Sequence, residues 1–64
     1  MTWIPAKDDL PDEDQEVLIS MPASIMPVRT AHLHLGKWYY TGGNQVTFLV
    51  EAWAALPEPY REQA

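Results

Sequence analysis

"VRTAHLHL", residues 28–35, decides how this chain folds. Ala31, Leu33 and Leu35 fall on one side of an alternating pattern, and Thr30, His32 and His34 on the other. Strands impose a period of two because successive side chains point to opposite faces, so the segment reads as a half-buried β-strand. Upstream, "PASIMP" at 22–27 carries a proline at each end and is excluded from a central strand, which makes it a loop. "EVLISM" at 16–21 is β-branched and apolar and reads as a strand. Downstream, Gly36 breaks the pattern, "KWYYT" resumes it, and "GGNQ" at 42–45 is turn material. "VTFLVEAWAAL" at 46–56 is the longest apolar run, and its β-branched and aromatic content favours strand over helix. "VEAWAAL" taken alone can wind into a helix.

Short strands separated by turns predict a small all-β domain: a four- or five-stranded antiparallel sheet curled into a partly open, SH3-like barrel. The variant of this reading is a β-rich α+β domain with one helical turn near residues 10–15. Pro11 suits a first helical position there, and acids suit a helix N-terminus. The domain is expected to span residues 1–59, with 60–64 as a polar tail.

With 64 residues there is room for one domain. A chain of this size buries only about 60% of its unfolded surface, so its stability is marginal. There is no cysteine, hence no disulfide, thiolate metal site or thiol nucleophile. Three Trp, three Tyr and one Phe can build the core, since each aromatic buries about 150–250 Å². Trp3 and Trp53 lie near opposite ends among apolar neighbours; a single core predicts that these ends meet and the two indoles cluster. No stretch approaches the roughly 20 apolar residues of a membrane helix, and the first residues do not form a signal peptide. The expected location is the cytoplasm of a bacterial host, away from membranes.

The net charge of −5 is unevenly placed. Residues 1–16 hold Lys7 against six acids, while three bases and three acids cancel over residues 17–64. An acidic balance repels DNA and RNA, which argues against direct nucleic-acid binding and leaves a basic protein as a permitted partner. The six acids are Asp8, Asp9, Asp12, Glu13, Asp14 and Glu16, in "DDLPDEDQE". Asp12, Asp14 and Glu16 imitate the alternating ligands of a calcium loop. However, Val17 stands where that loop needs Gly, and Ala23 where it needs its closing Glu. The run then reads as a solvated connector, or as a docking surface that imitates a phosphate backbone.

His32 and His34 share a strand face about 7 Å apart. Such a pair can hold zinc if Glu51 or an N-terminal carboxylate supplies a third ligand, yet no spacing specifies one. They are weak metal candidates, and no cofactor is expected. In "KWYYTGG", Trp38 and Tyr40 lie on one face and Tyr39 on the other. One face must pack, and the other offers an aromatic to a partner. Two nearby bases are too few for a single-strand nucleic-acid platform. Ser20 and Ser24 lie in no nucleophile elbow, and "TGGN" lacks the Lys of a phosphate loop.

Both ends of the chain match a known pattern. "WIPAKDDLPDEDQEVLI" resembles the opening of a family of short phage and prophage proteins catalogued as domain of unknown function 551, through Trp3, Ile4, Leu10, Pro11, Val17 and Leu18. "VEAWAALPEP" resembles that family's closing signature, roughly Val-Thr-His-Trp-Met-Pro-Leu-Pro-Glu-Pro, through Val50, Trp53, Leu56, Pro57, Glu58 and Pro59. Together the two signatures cover about half the chain. Ala52 stands where the family has His, so any activity that rests on that His is missing here. The resemblance implies a phage or prophage accessory protein and supplies no activity.

The expected function is non-enzymatic: binding of a host or phage protein through the acidic run or through Trp38, Tyr39 and Tyr40. The alternatives are a small metal-dependent or acid–base enzyme using His32 and His34, and a homo-oligomeric structural subunit.

Overall fold

The alternating segment is the second strand of a hairpin. Val17–Ser20 (β2) and Val28–His34 (β3) pair antiparallel, with Val17 opposite Ala31 and Ser20 opposite Val28. Val17, Ile19, Ala31 and Leu33 are buried, while Leu18, Thr30 and His32 on the reverse face are half-buried. Ile4–Pro5 (β1), Lys37–Tyr40 (β4) and Ala52–Ala55 (β5) complete one antiparallel sheet in the order β1-β5-β2-β3-β4. A computed structural model describes residues 2–57. The expected tail at 60–64, and the domain limit at 59, lie outside these residues.

The sheet is open, with β1 and β4 as its edges. There is no helix among the described residues, so the class is all-β. The turn expected to be helical near 10–15 instead closes through Gln15 N–H donating to the Asp12 carbonyl at 3.2 Å. Asp14 there takes φ 62°, a left-handed conformation that no α-helix accommodates.

The run 46–56 is not one strand. Only Ala52–Ala55 pairs, between β1 and β2. The preceding segment must travel from the β4 edge to the far side of β2. It does so with Val46 and Val50 packed on the core and Phe48 and Leu49 exposed. Val46 N–H donates to the Trp38 carbonyl and Glu51 N–H to the Ser20 carbonyl, each at 2.9 Å, so the crossing is pinned at both ends. Satisfying the backbone in this way costs the run its regular alternation.

The core unites Val17, Ile19, Met21, Ala31, Val50 and Trp53, with Ile4, Trp38, Tyr40 and Val46 packed against it. The first and last strands meet, as the positions of the aromatics predict, with Ile4 opposite Trp53. The two indoles do not cluster. Trp53 is buried, whereas Trp3, one residue before Ile4, is 39% exposed and outside the core. A one-residue step along a strand reverses the face, so Ile4 takes the position expected of Trp3. Leu35 is likewise not a core residue. It leaves the strand for the β3–β4 turn and is 78% exposed.

Candidate functional site

Strand register places His32 beside Tyr39 and His34 beside Lys37 on the face away from the core. The imidazole of His32 stacks on the Tyr39 ring, centroids 6.0 Å apart at 22°, and His34 meets the same ring edge-on at 6.3 Å. The pair on one face, read from alternation alone, is therefore joined by a third ring from β4.

The end of the acidic run folds onto these rings. His34 Nδ1 lies 2.9 Å from Asp14 Oδ1 and 3.7 Å from Glu13 Oε1. A carboxylate only accepts, so His34 carries its proton on Nδ1, and in the neutral ring Nε2 is left as an acceptor. Glu13 Oε1 also accepts the Leu35 N–H at 2.7 Å. Glu16 bridges two elements: Oε1 is 3.3 Å from His32 Nδ1, and Oε2 accepts the Thr41 hydroxyl at 2.6 Å. With its proton directed at Glu16, Thr41 Oγ1 is left to accept from Thr30 Oγ1, also 2.6 Å away. Asp14, His32, His34, Tyr39 and Gly43 line an open cleft of about 300 Å³.

The six acids thus divide into two groups. Glu13, Asp14 and Glu16 tie the turn to β3 and to the end of β4. Asp8, Asp9 and Asp12 are exposed; Asp9 Oδ1 accepts only its neighbour's Leu10 N–H, and the Asp8 and Asp12 carboxylates have no hydrogen bond or ion pair among the described residues. The backbone of this outer arm is held nonetheless. Asp8 N–H donates to the Pro5 carbonyl at 3.0 Å, and the Trp53 indole N–H donates to the Asp9 carbonyl at 3.0 Å.

Trp38 and Tyr40 lie half-buried on the core side. The Tyr40 hydroxyl donates to Met21 Sδ at 3.6 Å, and the Arg29 guanidinium stands 3.9 Å above its ring. Tyr39 is the aromatic of "KWYY" that shares the face of the histidines. Glu51 is on the far side of the sheet order, beside Ser20, and does not join them. Among the described residues, no group of three or more His, Cys, Asp or Glu side chains is arranged to hold a metal ion. No helix there is long and apolar enough to cross a membrane.

Sequence reading missed the hydroxyls of Thr30 and Thr41. The signal for Thr30 was present, since the alternation puts it on the histidine face. Nothing local marks Thr41. Compared with known proteins, the chain matches no protein-family model, no curated protein and no solved structure.

Proposed function

We propose that this chain is a non-enzymatic binding module, a phage or prophage accessory protein of the kind its two end signatures resemble. It engages a basic surface on a host or phage protein through Asp8, Asp9 and Asp12. The observation that carries this reading is the division of the acidic run. Three carboxylates hold the turn in place, and three face solvent from backbone that is held at Asp8 and Asp9 by Pro5 and Trp53 and at Asp12 by Gln15. A pre-ordered anionic arm loses little entropy on docking, and it steers a cationic partner toward it.

The test is capture from a bacterial lysate at low and high salt, with the chain and with its Asp8→Asn/Asp9→Asn/Asp12→Asn variant. The expected result is a protein retained at low salt, shed at high salt and lost with the variant, while the variant's melting temperature holds. Capture that ignores both salt and the three substitutions overturns the reading.

A further inference from the structure

We propose that the cleft on the histidine face binds one divalent transition-metal ion of the kind imidazole suits, zinc or copper(II), through Nε2 of His32 and Nε2 of His34. The two residues sit two positions apart in β3, so their side chains leave the same face of the sheet about 7 Å apart. Both rings border one open cleft, whose other lining residues are Asp14, Tyr39 and Gly43. Imidazoles so placed can rotate to meet one ion at the roughly 2.0–2.1 Å of a metal–imidazole bond. Water completes the coordination, since no group of three or more ligating side chains is assembled among the described residues.

What separates this pair from two histidines that merely share a face is the other nitrogen of each ring. A metal-ligating histidine almost always gives its second N–H to a carboxylate, carbonyl or water, which fixes the tautomer and makes the ligating nitrogen more basic. Here both rings have a carboxylate in that place. His34 Nδ1 is 2.9 Å from Asp14 Oδ1, and His32 Nδ1 is 3.3 Å from Glu16 Oε1. Each ring proton is drawn to Nδ1, and each Nε2 keeps its lone pair. The two carboxylates come from one anchored segment. Asp14 N–H donates to the Leu33 carbonyl at 2.8 Å, and Glu16 Oε2 accepts the Thr41 hydroxyl. Tyr39 packs on the rings from β4, stacked with His32 and edge-on to His34.

Charge and ligand type select the occupant. Glu13, Asp14 and Glu16 lie against the rings, and Lys37, opposite His34, is the one base that the strand register places beside them. Three acids to one base attract a cation. Calcium and magnesium fit poorly, because they take oxygen ligands and the free donors here are imidazole nitrogens. The exposed carboxylates of Asp8, Asp9 and Asp12 take no part.

The test is calorimetric titration of the full chain, free of any affinity tag, with a zinc salt and separately with a copper(II) salt. The buffer is mildly alkaline, because protons compete for the same nitrogens. One ion per chain is expected, with micromolar affinity that falls to millimolar when His32→Gln or His34→Gln leaves a single imidazole. Asp14→Gly and Glu16→Ala should each weaken binding about tenfold, the cost of a lost outer partner. In the zinc-loaded parent chain, imidazole nitrogen NMR should show the ion at both Nε2 atoms with the protons kept on Nδ1, a readout that needs no variant to fold. No binding at millimolar metal overturns the proposal. So does affinity indifferent to either histidine, or an ion found at Nδ1. Affinity that needs both histidines and ignores both carboxylates is that of an incidental pair, and overturns it as well. The Asp8→Asn/Asp9→Asn/Asp12→Asn variant should bind the ion like the parent chain, which keeps this test distinct from the lysate capture; affinity lost in that variant places the ion on the acidic arm and overturns the proposal.

Discussion

Asp14 and His34 meet across twenty positions of sequence, Oδ1 to Nδ1 at 2.9 Å, and Asp14 does so from a left-handed backbone with φ 62°. The contact and the conformation are separable. Asn and Asp tolerate the left-handed region, Gly occupies it freely, and Ala does not. Asp14→Asn keeps both the backbone tolerance and an acceptor, so it should cost less than about 0.5 kcal/mol, as exposed ion pairs usually do. Asp14→Gly loses the contact alone. Asp14→Ala loses both and should cost about 1.5 kcal/mol. Urea midpoints in the order Asn, Gly, Ala would establish this; equal midpoints for Gly and Ala would remove the strain from the account.

The β3–β4 hairpin carries a residue unsuited to its turn. Leu35 and Gly36 both have positive φ, 51° and 79°, which is the pattern of a two-residue turn that favours Asn-Gly. Leu35 gains no burial in return. Leu35→Asn retains the N–H that Glu13 accepts and should raise stability by about 0.5–1 kcal/mol. A thermal melt that moves downward would mean the Leu35 side chain has a contact worth more than the backbone relief.

Ile19 is fully buried at the centre of the sheet, opposite both Arg29 and Trp53. Truncation to Ala leaves a cavity in a core too small to close around it and should cost about 3–4 kcal/mol, whereas Ile19→Val should cost about 1 kcal/mol. Set against the roughly 5 kcal/mol available to a small domain, Ile19→Ala should leave a large unfolded fraction near 37 °C. Circular dichroism against temperature reads this directly. A cooperative, little-shifted melt for Ile19→Ala would show that the core lies elsewhere.

How far sequence led can be argued from these same residues. The strand at 28–34 was legible from its alternation, which also showed the shared face of His32 and His34; the strand at 17–20 was legible from its β-branched, apolar composition, and the one at 37–40 from the break at Gly36 that precedes it. The insertion of β5 between β1 and β2 was not legible: residues 46–51 have strand composition, but their path is set by distant carbonyls at Trp38 and Ser20. The same limit applies to the site. The acidic run and the histidine pair were each visible, yet nothing between Asp14 and His34 encodes that they touch. Hairpin pairing first brings β3 against β2, and only then does Glu16, just ahead of β2, fall beside His32.

The Trp53 indole N–H on the Asp9 carbonyl joins the last strand to the acidic arm, and it makes the binding proposal answerable without touching a carboxylate. Trp53→Phe keeps an aromatic ring in the core and removes the donor. Global stability should fall by about 1–2 kcal/mol through the lost hydrogen bond and the smaller ring. The arm should loosen by more than that. Amide exchange at Asp8 and Leu10 should accelerate beyond any change at Ile19, because the arm opens locally while the core opens only with the whole domain. If Asp8, Asp9 and Asp12 bind as a pre-ordered array, salt-sensitive capture should weaken with their charge intact, since ordering the arm now falls to the binding step. Exchange that rises equally at Leu10 and Ile19 would show that the indole supports only the core. Faster exchange in the arm with undiminished capture would show that charge alone, without order, is what the partner reads.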